Sequence, residues 1–182
     1  MFIAQKLKKS NICEYILYMW QIEDIIRALD LNIDTINTHI IDAHQIDNEA
    51  DKKKLYERYE SLIDMLRTED KVQAGHLQMN MNVLQDVTEF HNQLINSSKQ
   101  PDYNAKFIHV LPFINQLRSK SDAGLSDLEL CFNFQYGIML LRMKKSEIKP
   151  ETLVAQQEIS KFMVLLNRYF MQFQEGLLDF ED

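Results

Sequence analysis

Apolar residues recur at helical spacing along most of the chain, and few residues that break helices interrupt them. Between residues 12 and 30, Ile, Tyr, Met and Leu recur every three or four positions without a Gly or Pro, which predicts a first helix there. The same spacing predicts six further helices: from Asn32 or Asp34 to about His44, from 47–49 to about Thr68, from about Lys71 to Asn96, from about Tyr103 to Ser119, from Ser126 to about Lys145, and from Pro150 to near Gly176.

Several of these boundaries carry a specific signal. The acidic and amide residues at 47–49 supply a cap and first-turn acids, and the Ser-x-x-Glu sequence that begins at Ser126 is a capping box. Pro150 fits the first position of a helix. Gly75 is a weak point in the fourth predicted helix, and Pro112 is expected to kink or split the fifth.

The sixth predicted helix is apolar on every side, unlike the amphipathic helices around it. Such a helix has to be surrounded by others, so it is placed at the centre of the fold. The sequence therefore predicts an all-α, single-domain antiparallel bundle of about six or seven helices around an apolar central helix, over residues 1–182. Residues 177–182, apolar and acidic, are expected to form a flexible tail or a contact surface.

Composition narrows the class of protein and its compartment. With 182 residues, 46% of them hydrophobic, and only 4 Gly and 3 Pro, the chain is expected to fold, and to fold into helices. Two cysteines without a C-x-x-C spacing favour a reducing compartment, and the charged opening residues do not fit a signal peptide, so the cytoplasm is predicted. A net charge of −7 argues against nucleic-acid or anionic membrane partners.

The spacings that mark common helical enzymes are missing from the sequence. None of the five histidines has a Glu three residues before it, as di-iron bundles require. The zinc motif H-E-x-x-H, a Gly-rich phosphate loop and G-x-S-x-G are missing as well. We therefore predict no catalytic residue, no metal and no cofactor, and the sequence favours a protein that is not an enzyme.

Glu23 and Arg27 are the first pair of charged residues on a face that is otherwise apolar. They lie four residues apart in the first predicted helix, so their side chains can pair. An internal ion pair at the edge of the core is the simpler interpretation, because buried charges are usually paired. The functional interpretation is a carboxylate and a guanidinium at the lip of a ligand pocket.

His76, Asn80 and His91 fall on the apolar face of the fourth predicted helix. His76 and Asn80 are one turn apart, whereas His91 lies about 22 Å further along the axis, so the two histidines cannot hold one metal within this helix. Hydrogen-bonded structural residues are the simpler interpretation, and a shared ligand is the alternative. Arg142, near the end of the central helix, is expected to complement the helix dipole.

Four segments of the sequence are distinctive: Phe-Ile-Ala-Gln-x-x-Lys-x-x-Asn-Ile-x-Glu-Tyr-x-Leu-Tyr-Met-Trp-Gln-x-Glu-Asp-x-Ile-Arg-Ala over 2–28, Gly75-His76-Leu77-Gln78-x-Asn80, Leu111-Pro112-Phe113-Ile114 and Cys-Phe-x-x-x-Tyr-Gly-x-Met-Leu-Leu-Arg over 131–142. Together they resemble a family of small bacterial helical proteins that is known only as a domain of unknown function. The resemblance implies an all-helical, cytoplasmic bacterial protein, and it assigns no activity and no functional residues. Glu23, Arg27, His76, Asn80 and Arg142 all lie within these segments.

Two functions of different classes follow from the sequence. The favoured one is a non-enzymatic module that contacts a protein partner, or a second copy in a homodimer, through an exposed apolar helix face. The alternative is a ligand-binding or enzymatic bundle whose pocket gathers Glu23, Arg27, His76 and Asn80 from the first and fourth predicted helices.

Overall fold

The computed structural model describes residues 2–43 and 48–178, and these residues form helices joined by short connections, with no strand among them. The predicted all-helical class is confirmed. Eight α-helices and one π-helical turn are described: α1 (Phe2–Ser10), α2 (Ile12–Ala28), α3 (Ile33–Ile36) followed by the π-helical turn (Asn37–Ile41), α4 (Glu49–Thr68), α5 (Gln78–Asn96), α6 (Pro101–Arg118), α7 (Asp127–Met143) and α8 (Pro150–Gln174).

The chain divides into two compact units. The first unit contains the described residues of 1–9 and 14–83, and the second contains those of 10–13 and 84–178. The sequence predicts a single domain over 1–182, and that stays a prediction.

In the first unit, the apolar faces of α2 and α4 supply most of the buried side chains. The spacing predicted for the first helix is confirmed in α2, where Ile16 and Ile26 are completely buried. Leu66 of α4 and Ile36 of α3 are likewise completely buried, and α3 and the π-helical turn both contact α4. The burial of such aliphatic side chains is the main stabilising contribution in this unit.

In the second unit, α6, α7 and α8 contact one another and enclose an aromatic core. Tyr103, Phe132 and Phe162, one from each of these helices, are completely buried. The helix predicted to be central is α7, and its burial is uneven. Its first turns contain the buried residues Leu128, Leu130, Cys131 and Phe132. Asn133 is exposed, and Leu141 and Met143 in the last turn are 39% and 60% exposed, so the prediction of burial on every side is wrong.

The helices of this glycine-poor chain end in left-handed residues, several of which are not glycine. Asp70 and Lys145 have φ of 54° and 53°, and Gly176 has φ of 69°. After each of them, an amide bonds to the carbonyl five residues earlier, as at Lys71 N to Leu66 O over 2.7 Å. Left-handed residues at these described helix ends are therefore not confined to glycine.

The capping signals were reliable where a short sequence pattern sets the boundary. The capping box at Ser126 is formed, and Pro150 occupies the first turn of α8. Asn48 caps α4, whereas Asp47 and the predicted helix end at His44 lie outside the described residues. The helix α6 continues through Pro112 as one element, so the predicted split does not occur.

One predicted boundary is wrong. The sequence predicts that the fourth helix starts at about Lys71, but α5 begins at Gln78, and residues 71–77 are not helical. Gly75 has φ of +84°, which a helix cannot accommodate. His76 therefore lies in the segment before α5 and not one helical turn before Asn80.

Candidate functional site

The carboxylate of Glu23 is the centre of a polar cluster in the first unit, in which Glu23, Arg27, His76 and Asn80 come together. The Glu23 side chain, on α2, is completely buried. Its Oε1 accepts hydrogen bonds from Asn80 Nδ2 over 2.6 Å and from the Leu77 amide over 3.1 Å. Its Oε2 lies 2.7 Å from His76 Nδ1. An ionised carboxylate can only accept, so Nδ1 carries the proton in this contact. We call these residues, with Trp20, the Glu23 cluster.

Helix polarity helps to hold this buried charge. Leu77 immediately precedes α5, so Glu23 accepts from an amide at the N-terminus of that helix. The carboxylate of Glu69 accepts from the next amide, that of Gln78, over 2.7 Å. The N-terminus of a helix favours negative charge and has amides without helical partners. The side chains of Glu23 and Glu69, which are not part of α5, therefore cap the N-terminus of this helix.

Arg27 binds the backbone of the segment that precedes α5. Its Nε donates to the Lys71 carbonyl over 2.9 Å, and its Nη2 donates to the Gly75 carbonyl. Its Nη1 forms an ion pair with Asp24 at 2.7 Å, whereas the closest approach to Glu23 is 3.9 Å. The spacing of Glu23 and Arg27 predicts that they pair, but their contact is longer than the hydrogen bonds that either residue makes in the Glu23 cluster. The main role of Arg27 is therefore to bind the backbone of residues 71–75.

Two features leave room for further chemistry in the Glu23 cluster. The His76 ring stacks on Trp20, with centroids 3.9 Å apart and planes 10° from parallel, and its side chain is 22% exposed. Asn80 is completely buried, and its Oδ1 has no hydrogen-bond partner among the described residues. Asn80 Oδ1 is thus a buried acceptor that the described residues leave unsatisfied.

Some members of the Glu23 cluster have no feature in the sequence that assigns them to it. Trp20 lies on the apolar face of α2 and is 1% exposed, so by itself it has the character of a core residue. Its position three residues before Glu23 was the one local signal that the two share a face. The backbone groups of Lys71, Gly75 and Leu77 carry no side-chain signal.

His91, the third polar residue predicted on the apolar face, belongs to the second unit and is 1% exposed. Its Nδ1 lies 2.7 Å from the Tyr103 hydroxyl, and the rings of Phe107 and Phe162 meet it edge-on. Burial lowers the pKa of His91 to about 4, and the charge of Asp127 opposes that shift. The neutral imidazole is a hydrogen-bonded part of an aromatic core, as the simpler interpretation predicts.

A second exposed feature lies where α7 and α8 meet. Gln135 and Gln156 exchange hydrogen bonds between the two helices, and Arg142 donates to Gln156 Oε1 over 3.1 Å. These bonds place the end of α7 beside the first turns of α8. Arg142 thus meets an amide of the neighbouring helix, whether or not it also complements the helix dipole as predicted.

Residues 141–154 combine exposed apolar and basic side chains, and we call them the 141–154 surface. Leu141, Met143, Leu153 and Val154 are 39%, 60%, 39% and 55% exposed. The same segment has four basic and two acidic residues in a chain of net charge −7. Exposed apolar patches with a polar rim commonly mark contact sites.

Two further features are missing from the described part of the chain, a metal-ligand cluster and a membrane-spanning helix. Within residues 2–43 and 48–178, there is no group of three or more His, Cys, Asp or Glu side chains that could hold a metal ion. None of the helices described over these ranges has the length and apolar character needed to cross a bilayer.

These observations define an all-helical protein with a buried polar cluster among its described residues. The chain belongs to the family described as a domain of unknown function (DUF4924), whose sequence model matches residues 1–176. This confirms the resemblance drawn from the four segments, all of which lie within the matched residues. No curated protein and no solved structure matches the chain.

Proposed function

We propose that this protein is a non-enzymatic interaction module whose 141–154 surface binds an acidic, amphipathic segment of a partner protein. The observation that carries the proposal is the concentration of exposed Leu141, Met143, Leu153 and Val154 at one end of the α7 and α8 pair. Association through such a surface removes apolar area from water, which is its main driving force.

Charge selects the kind of partner. The 141–154 surface has a net charge of +2, from four basic residues less two acidic ones, although the whole chain is at −7. A symmetric homodimer through this surface would bring two positive copies together, which opposes association. An acidic segment with one apolar face satisfies both the charge and the exposed apolar side chains.

The Glu23 cluster supports the non-enzymatic part of the proposal. Both oxygens of Glu23 and all three nitrogens of the Arg27 guanidinium contact groups of their own chain. Groups held in this way stabilise a fold, whereas a general acid or base needs an open position next to substrate.

The test uses two synthetic helical peptides of about 18 residues, long enough to form a helix on a surface. One has Leu on one face and Glu on the other, and its match has Lys in place of every Glu. Fluorescence anisotropy should show that the Glu peptide binds and the Lys peptide does not. Binding should weaken as salt is raised, because the attraction is partly electrostatic.

Two substitutions localise the binding. Met143→Glu places a negative charge on the 141–154 surface and should lower the affinity for the Glu peptide at least about tenfold. Val164→Glu is the matched control, since Val164 is an exposed apolar residue of α8 outside that surface, at 67% exposure. Equal binding of both peptides, or equal effects of both substitutions, would contradict the proposal.

Native mass spectrometry decides between this partner and a second copy. The proposal predicts bare single chains. A dimer that Met143→Glu dissociates would instead show that the 141–154 surface binds a second copy, as the predicted homodimer requires, and would overturn the acidic partner.

A small-ligand site at Glu23, Arg27, His76 and Asn80 is the second candidate. It is favoured by the buried Asn80 Oδ1, which has no hydrogen-bond partner within the described residues, next to the partly exposed His76. The same native spectrum tests it, because retained extra mass that is lost on replacing Glu23 or His76 would favour a ligand. Bare chains with no added mass would count against it.

The compartment and the excluded partners complete the proposal. We place the module in the cytoplasm, where buried thiols such as Cys13 and Cys131 persist without forming a disulfide. The net charge of −7 supports a protein partner over nucleic acid or an anionic membrane.

A further inference from the structure

A cleft in the first unit has a chemical character that neither the Glu23 cluster nor the 141–154 surface shares. It has a volume of about 200 Å³ and is lined by side chains of α1, α2 and α4, with Met79 of α5. All of these lining residues belong to the first unit. We call it the α1–α2–α4 cleft.

One part of the lining is apolar and adaptable. Met19, Met65 and Met79 all line the α1–α2–α4 cleft. Met19 is buried, whereas Met65 and Met79 are 36% and 40% exposed. Methionine side chains adapt to ligands of different shape, so they suit a hydrocarbon chain better than a rigid ring of fixed outline.

The charged part of the lining is cationic only. Lys8 and Arg58 line the cleft, and no Asp or Glu is among the described residues around it. Lys8 Nζ lies 5.5 Å from the centre of the Tyr15 ring. Burial raises the pKa of Tyr15, and the positive charge of Arg58 partly opposes that shift. Two positive charges thus lie near one tyrosine at the cleft.

Arg58 differs from the other basic residues of its helix. On α4, Lys53, Lys54 and Arg67 each form an ion pair with an acidic residue three or four positions away. Arg58 has neither an ion pair nor a hydrogen bond with any residue of the described ranges, and the same is true of Lys8. Both positions are exposed, so their charges are available to a ligand.

We propose that the α1–α2–α4 cleft binds a small monocarboxylic acid with an unbranched hydrocarbon body. Its carboxylate lies between Lys8 and Arg58, and its hydrocarbon chain packs against the methionines. The planar guanidinium of Arg58 matches a carboxylate. The volume of about 200 Å³ is below the roughly 300–1,000 Å³ of pockets for drug-sized ligands, so a short acid fits better than a long one.

Isothermal titration calorimetry with octanoate tests this site. Octanamide is the matched control, because it has the same length and no charge, and acetate is a carboxylate without a hydrocarbon body. Octanoate should bind, octanamide should bind at least about tenfold more weakly, and acetate should give no detectable binding. Absence of octanoate binding, or equal affinities for octanoate and octanamide, would overturn the proposal.

Variants locate the carboxylate. Arg58→Gln and Lys8→Gln should each weaken octanoate about tenfold and leave octanamide unchanged. Lys53→Gln is the control, since Lys53 is a basic residue of the same helix outside the cleft. If Arg58→Gln and Lys53→Gln lower the octanoate affinity equally, the acid is attracted by the overall charge of the protein and the proposed position of the carboxylate is wrong.

A second pair of variants changes charge without changing shape. Met79→Glu places a carboxylate at the cleft, and Met79→Gln places a neutral side chain of the same size there. Octanoate should bind Met79→Glu at least about tenfold more weakly than Met79→Gln, because the added charge repels it. Equal affinities would overturn the proposal. The cleft and the 141–154 surface belong to different units, so failure of one test leaves the other standing.

Discussion

Replacing Glu23 by Gln removes one negative charge from the centre of the Glu23 cluster and changes its size little. In the wild type, the two oxygens accept from the Leu77 amide, from Asn80 Nδ2 and from His76 Nδ1, over 2.6 to 3.1 Å. The glutamine amide has one acceptor oxygen and one donor nitrogen. With His76 protonated on Nδ1 as in the wild type, at least one of these donors therefore faces another donor.

The structure sets the size of the effect. Removing one partner of a buried charge network costs about 3–5 kcal/mol. His76 can shift its proton to the other ring nitrogen and accept from the new amide, so we expect the lower end, about 3 kcal/mol. For a chain of this size, each kcal/mol lowers Tm by about 2–4 °C, which gives a decrease of about 6–12 °C.

Circular dichroism at 222 nm during heating measures this change. Glu60→Gln is the matched control, because Glu60 is an exposed acidic residue of the same unit, on α4, and its replacement should change stability by less than about 0.5 kcal/mol. If Glu23→Gln changes Tm no more than Glu60→Gln does, Glu23 has no structural role and the ligand-site interpretation of the Glu23 cluster gains.

Two further predictions concern the second unit. Burial lowers the pKa of His91 to about 4 from an ordinary value near 6.5. Between pH 6.5 and pH 4, His91 is therefore protonated in the unfolded chain and neutral in the folded chain. The free energy of unfolding should therefore keep the full contribution of neutral His91 above pH 6.5, and it should decrease by about 3 kcal/mol as the pH is lowered to 4. Urea melts across this range should show a smaller loss for His91→Gln, and equal losses would contradict the burial argument. Ser126→Ala removes the capping box of α7 and should cost about 1 kcal/mol in the same melts, whereas Ser98→Ala, at an exposed loop position, should cost almost nothing.

The sequence was sufficient wherever local chemistry determines the structure. Ile16 and Ile26 are buried because helical spacing places them on one face of α2. Ser126 begins α7 because its own hydroxyl and the Glu129 carboxylate satisfy amides within the same turn. Such features involve residues a few positions apart, so periodicity and capping rules predict them.

The wrong start of the fourth helix has a non-local cause. Glu23 and Arg27 bind the Leu77 amide and the carbonyls of Lys71 and Gly75, about fifty positions along the chain. These bonds hold residues 71–77 in a non-helical path, although their apolar spacing favours a helix. The same distance explains why the sequence identified the side chains of the Glu23 cluster and missed its backbone partners. The cleft was missed because Lys8, Arg58 and Met79 come from three helices.

The distribution of Trp20 and the two cysteines gives each unit its own natural reporter. Trp20 is the only tryptophan and lies in the first unit, where its emission senses the stacked imidazole of His76. Both Cys13 and Cys131 are buried in the second unit, where burial raises the pKa of the Cys131 thiol, so a thiol reagent reacts only after that unit opens. Tryptophan emission and thiol labelling along one urea titration thus follow the two units separately without an added label. Coincident midpoints would mean one cooperative domain, and separate midpoints would mean two.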